Sequence, residues 1–144
     1  MIKLIILLRP FARYLLIVWA ITIIVVSSTP NIPTLKIHMA KTDIRLDYLL
    51  HFMEYGALTL LSFLTFSGDE FRIGFRKIIT ITVILSLFAI LDEYHQKLIP
   101  GRSFNYNDIF SNLTGILAGV VFCVVIFSLI RTNHLHKIQT GNQD

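Results

Sequence analysis

The chain has 144 residues, of which 54% are hydrophobic and only 15% charged, with a mean hydropathy of +0.68 and a formal net charge of +4. A soluble domain of this size carries about 25% charged residues, so the composition argues against a water-soluble globule and leaves no room for a separate soluble domain. The single cysteine, Cys123, excludes an internal disulfide and a cysteine-based metal site, and the excess of Lys and Arg bears on membrane orientation rather than on nucleic acid.

A helix needs about 20 mostly apolar residues to cross a bilayer. The first such stretch is 11–28, with Pro10 at an early helix position and Thr29-Pro30-Asn31-Ile32-Pro33 as its stop. It resembles a signal peptide, but Thr29-Pro30 is a poor cleavage site and more spans follow, so it reads as an uncleaved first helix. Residues 28–45 read as a candidate outer lid. The second span is 46–67, ended by Gly68-Asp69-Glu70. The third begins after Arg76-Lys77, and its uncharged part, 78–91, is too short to cross alone. Extending it to 99, before Pro100, gives a full span and carries Asp92, Glu93, His95 and Gln96 towards membrane depth. The fourth, 109–130, holds no charge and is closed by Arg131.

The expected fold is therefore all-α: a single four-helix transmembrane bundle over residues 1–131, followed by a polar, frayed tail over 132–144. Orientation follows from the basic residues. Lys3, Arg9, Arg13, Arg72, Arg76, Lys77, Arg131 and Lys137 fall on one side, and Lys36, Lys41, Arg45, Lys97 and Arg102 on the other. Positive residues favour the cytoplasm, which puts both termini inside.

In that topology the start of span two, the end of span three and the start of span four meet at the outer face. Asp47, His51, Glu54 or Tyr55, Thr59 and Ser62 recur at three- and four-residue steps and form one stripe on a helix. Asp92 or Glu93 with Gln96, and Asp108 with Asn112, add polar groups from the other two helices. One reading is a collar of snorkelling interface residues, with Asp108 as an N-cap. The other is a polar core built on His51, Glu54 and Glu93, since ionisable residues inside a span are costly unless they face the bundle. Pro100-Gly101 is a sharp turn that would fold Arg102 back over the cluster, to pair with Glu93 or Asp108 or to bind an anionic group. Gly115 and Gly119 make a small-xxx-small pattern for close helix packing. Cys123 reads as a buried small hydrophobe. Residue spacing on one helix argues against a metal site, and no cofactor is expected.

These residues resemble the VanZ-like family of small bacterial membrane proteins. The resemblance rests on Asp47-x-x-x-His51-Phe52-x-x-Tyr55, and on Asp92-Glu93-x-x-Gln96, Pro100-Gly101-Arg102, and Asp108-x-x-x-Asn112-x-x-Gly115-x-x-x-Gly119. The family often has Lys after the first Asp, where this chain has Tyr48; Lys41, Arg45 or Lys97 would stand in for that charge. The resemblance implies a multi-pass protein of the bacterial cytoplasmic membrane. The family takes its name from a protein linked to low-level resistance to teicoplanin, a glycopeptide that binds cell-wall precursor termini.

Three functions compete. The first is a non-enzymatic binding role at the cell envelope, the partner being a cell-wall precursor, an anionic lipid or a glycopeptide. The second is an intramembrane hydrolase or transferase, with His51 and Glu93 as the candidate catalytic pair; no Gly-x-Ser-x-Gly or His-Glu-x-x-His motif accompanies them. The third is a small transporter, which four spans could form only as a homo-oligomer.

Overall fold

The computed structural model describes residues 2–31, 36–39, 42–68 and 71–141, with side chains for 3–31, 46–68 and 71–132. The first apolar stretch forms two helices, α1 (Ile2–Leu8) and α2 (Ala12–Ser27), joined by a 3-10 turn at Arg9–Phe11. Pro10 accounts for the break, because it has no N–H to donate one turn back, and the chain tightens locally instead. Helical backbone therefore begins well before residue 11. Together these pieces give an apolar rod over Lys3–Ser27 of 25 residues.

A short antiparallel hairpin follows, β1 (Lys36–Met39) and β2 (Thr42–Arg45), in register from Lys36 opposite Arg45 to Met39 opposite Thr42. The sequence reading expected no strand here. Residues 32–35 and 40–41 of the candidate lid lie outside the described residues, as do the side chains of Lys41 and Arg45.

Three long helices complete the chain: α3 (Leu46–Phe66), α4 (Phe75–Gln96) and α5 (Tyr106–Gly141). Asp47 sits in the first turn of α3, where a carboxylate opposes the helix dipole favourably. α4 begins three residues before the expected 78 and ends at Gln96, three residues short of the expected 99. Backbone bonds from Leu98 to His95 and Ile99 to Gln96 satisfy its last carbonyls, Arg102 N–H to the Ile99 carbonyl closes the turn that follows, and Gly101 takes a φ of +77° that suits glycine. α5 starts three residues earlier than the sequence reading and runs on to Gly141, through most of the stretch read as a frayed tail.

The helices pack around α3, whose closest partner is α5. A Cβ on Gly115 would overlap the Phe52 main chain, and one on Gly119 would lie 2.8 Å from Thr59 Cβ and 3.2 Å from the Gly56 carbonyl. Glycine at both positions lets two helix backbones approach to contact. The core is filled by Tyr55, Phe63, Leu85, Ala89, Ile116, Cys123 and Phe127. Outside it, the helices expose Ile17, Ile21, Val25, Leu50, Met53, Leu87, Leu117, Val121 and Leu129. An apolar surface of this extent is built for something other than water. Three helical rods, over 3–27, 46–66 and 106–132, are long and apolar enough to cross a membrane.

Candidate functional site

Four helix ends meet at one end of the bundle: the C-termini of α2 and α4 and the N-termini of α3 and α5. Most of the buried polar side chains cluster there, namely Ser27, Asp92, Glu93, Gln96, Asp108, Ser111 and Asn112. Neighbouring positions on α4 point about 100° apart, so Asp92 and Glu93 enter two different networks.

The first network joins α2, α3 and α4. Tyr55 donates its hydroxyl to Asp92 Oδ2 at 3.1 Å, and Gln96 Nε2 reaches the same oxygen at 3.4 Å and Ser27 Oγ at 3.3 Å. Nearby, His95 Nε2 lies 3.0 Å from Ser28 Oγ. Thr59 and Ser62, lower on the same stripe, donate to carbonyls of their own helix and stay out of the cluster.

The second network joins α4, α5 and α3. Glu93 Oε1 accepts the Asn105 main-chain N–H at 2.8 Å. Asn105 caps α5: its Oδ1 accepts the Asn107 N–H at 3.0 Å, while its Nδ2 donates to Asp108 Oδ1 at 3.1 Å. Asp108, expected as the cap, is thus the residue three positions inside the helix that braces the real one, a reciprocal pairing like a capping box. His51 Nε2 on α3 is 3.9 Å from Asp108 Oδ2. Asn107 Nδ2 donates to the Tyr48 hydroxyl at 3.3 Å, so Tyr48 ties α3 to α5.

Among the described residues, four buried atoms at this end of the bundle have no hydrogen-bond partner: Glu93 Oε2, both amide atoms of Asn112, and His51 Nδ1. Glu93 and Asn112 are both 0% exposed. Leaving one such group unpaired costs about 1–3 kcal/mol, and native structures rarely gather several.

Arg102 behaves differently from its expected pairing. Its Nη2 donates to the Val26 carbonyl at 2.8 Å and its Nε to the Thr29 carbonyl at 3.3 Å. It closes the C-terminus of α2, where a cation also meets the negative end of the helix dipole. Glu54 and Glu93 are within its electrostatic reach, but neither they nor Asp108 accept a hydrogen bond from it among the described residues. Glu54 and Asp47 are half-buried at the rim, and Trp19 Nε1 on α2 bonds the Glu54 carbonyl at 3.0 Å.

The two motif blocks that carry the resemblance are therefore neighbours in space. A sequence model for the VanZ/LLP1 family matches residues 5–128. The chain belongs to the VanZ/LLP1 family. No curated protein and no solved structure matches it.

In this VanZ/LLP1 protein several participants escape a reading of the sequence. Ser27 and Ser28 look like part of a cleavage signal, Asn105 like a loop residue, and Gly56 like an ordinary helix position. The polar residues just before a helix run offer a signal for Asn105; nothing local marks Ser27. Lys97 is exposed. Among the described residues, no three His, Cys, Asp or Glu side chains come together as a metal site. Chemically, the cluster offers hydrogen-bond acceptors and donors in a buried setting, plus one imidazole beside a carboxylate.

Proposed function

We propose that this VanZ/LLP1 protein crosses the bacterial cytoplasmic membrane four times with both termini inside, and binds a cell-envelope ligand at its outer end without turning it over. The physiological role that fits is tolerance of a glycopeptide such as teicoplanin. In this reading α4 also crosses the membrane, as the third of the four spans in chain order. It exposes Ile79, Val83, Ile84, Leu87 and Leu91, and its polar residues Asp92, Glu93 and Gln96 are buried against the other helices, as a span with ionisable groups requires. Arg9, Arg13, Arg72, Arg76, Lys77 and Arg131 gather at the end opposite the cluster, which favours that end as cytoplasmic.

The observation that carries the binding role is the set of unpartnered atoms on Glu93, Asn112 and His51. Asn112 Oδ1 and an ionised Glu93 Oε2 call for donors, while Asn112 Nδ2 calls for an acceptor. A peptide amide or a sugar hydroxyl supplies both, and cell-wall precursors and glycopeptides are rich in them. An anionic lipid fits this end poorly. Glu54, Asp92, Glu93 and Asp108 lie close together at this end, and Arg102 is engaged with main-chain carbonyls. Expression in a teicoplanin-sensitive bacterium tests the role. The natural chain should raise the inhibitory concentration, and Glu93→Gln at equal membrane abundance should not.

A second reading, acid–base chemistry on a lipid-linked substrate, draws on the His51–Asp108 approach at 3.9 Å with Nδ1 unpartnered. A carboxylate behind an imidazole orients it as a base. Turnover of such a substrate by purified protein, abolished by His51→Ala, would favour this reading over binding alone.

A further inference from the structure

The unpartnered groups of the polar cluster differ in kind, and the difference selects a ligand. Glu93 Oε2 and Asn112 Oδ1 accept hydrogen bonds, and Asn112 Nδ2 donates them. His51 Nε2 faces Asp108 Oδ2 at 3.9 Å. That carboxylate draws the ring proton to its side, which leaves the buried Nδ1 as an acceptor. Among the described residues the buried, unpartnered atoms are thus three acceptors against one donor. They lie along one run of contacts. Glu93 holds Asn105, Asn105 holds Asp108, and Asp108 meets His51. Asn112 is one turn further along α5 than Asp108, on the same face and about 6 Å deeper.

Charge narrows the choice. Asp92 and Asp108 lie close to Glu93, and Arg102, also within electrostatic reach, donates to the Val26 and Thr29 carbonyls instead. Among the described residues, no lysine or arginine hydrogen-bonds Glu93. The N-terminus of α5 favours a negative charge there, yet a buried carboxylate oxygen without a cation is costly. A ligand carboxylate or phosphate would add to that cost. A neutral hydroxyl would supply one donor and leave the charge uncompensated. An ammonium supplies three donors, no acceptor and the missing charge, and a carbonyl next to it accepts from Asn112 Nδ2. On the reading that this end of the bundle binds an envelope ligand, we infer that the ligand is held through a protonated primary amine with a neighbouring carbonyl, the amine on Glu93 Oε2 and Asn112 Oδ1 and the carbonyl on Asn112 Nδ2. Glu93 and Asn112 are both 0% exposed, so the amine enters with a local opening beside His51, which is half-buried at the rim.

Thermal-shift titration of the full chain in a non-ionic detergent tests it near pH 7, below the ordinary α-amine range of about 7.7–8.0. One probe is alaninamide hydrochloride, which is cationic. The other is N-acetylalaninamide, which offers the same carbonyl without the charge. The natural protein should bind alaninamide about tenfold more tightly, the worth of one charged hydrogen bond. Glu93→Gln should remove that preference, and Asn112→Leu should weaken the binding of both probes. Equal binding of the two probes by the natural protein would overturn the amine and put a neutral ligand in its place. A preference that survives in Glu93→Gln would also overturn it, since diffuse attraction by Asp92 and Asp108 would then suffice. So would equimolar sodium chloride stabilising the natural protein as alaninamide does, which would assign the site to a metal cation. Binding of neither probe would overturn the amine alone. The binding role itself stands or falls on protection against teicoplanin by the natural chain and its loss in Glu93→Gln.

Discussion

Glu93 holds the main-chain N–H of Asn105 through Oε1 at 2.8 Å, while its second oxygen is buried without a partner among the described residues. One carboxylate thus does two separable things. It fixes the start of α5 against the end of α4, and it presents an acceptor to the interior.

The two tasks come apart by substitution. Glu93→Gln keeps an oxygen for Asn105, whereas Glu93→Ala leaves that N–H unsatisfied at a cost of roughly 1–3 kcal/mol. Thermal unfolding in detergent should show a clear drop in Tm for the alanine variant and a small change for glutamine. Equal drops would mean that the Asn105 bond does not hold the loop.

Helix contact between α3 and α5 gives a second contrast. Gly115→Ala must push aside the Phe52 main chain, and overpacking of this kind costs roughly 1–3 kcal/mol. Gly56→Ala meets only the Gly115 carbonyl at 3.6 Å, an ordinary contact, and alanine is the better helix former by about 1 kcal/mol. Unfolding measurements should rank Gly115→Ala well below the natural protein and Gly56→Ala at or above it. The opposite order would contradict the packing described.

Arg102→Ala should loosen the end of α2, because the Val26 and Thr29 carbonyls lose their donor. Hydrogen exchange should speed up at amides near the Ser28 turn, with Arg102→Lys giving a milder effect. Unchanged exchange there would return Arg102 to the role of a ligand-binding cation.

Orientation is open to direct labelling. Cys123 is the only cysteine and is buried, so a Cys123→Ser background should behave normally. A membrane-impermeant maleimide added to intact cells should label Ser103→Cys, and should label Thr132→Cys only after the membrane is opened. The reverse pattern would invert the proposed topology.

How far the sequence carries can be judged from particular residues. α3 was legible because its apolar run has one clear start and a Gly-Asp-Glu stop, and the helix ends within a residue of the expected position. Pro100-Gly101 marks a stop after α4, but the helix ends at Gln96, three residues short of the expected 99. The start of the first helix was not legible, since a proline reads equally well as an opening position or as the 3-10 joint it forms here. Asn105 and Asp108 are both good caps three residues apart, and only the Asn107 N–H distinguishes them. The paired strands over Lys36–Met39 and Thr42–Arg45 are too short for alternation to stand out in the sequence. For the candidate site, spacing gave the polar stripe on α3 and the three contributing helices. It could not give the partner of Arg102 or of Gln96. Val26 and Ser27 lie on a fourth helix about 70 residues away in the chain, and no local pattern encodes that contact.

Asn112 supplies the sharpest test, because both its amide atoms are buried without partners among the described residues. An apolar residue of similar size removes an unsatisfied group, so Asn112→Leu should fold at least as stably as the natural chain, yet lose the ligand. The measurement is teicoplanin susceptibility of a sensitive bacterium expressing each protein at matched membrane abundance, with Tm recorded on the same two proteins. The account predicts protection by the natural chain and none by an equally stable Asn112→Leu. Undiminished protection by Asn112→Leu, or no protection by well-expressed natural protein, would contradict it.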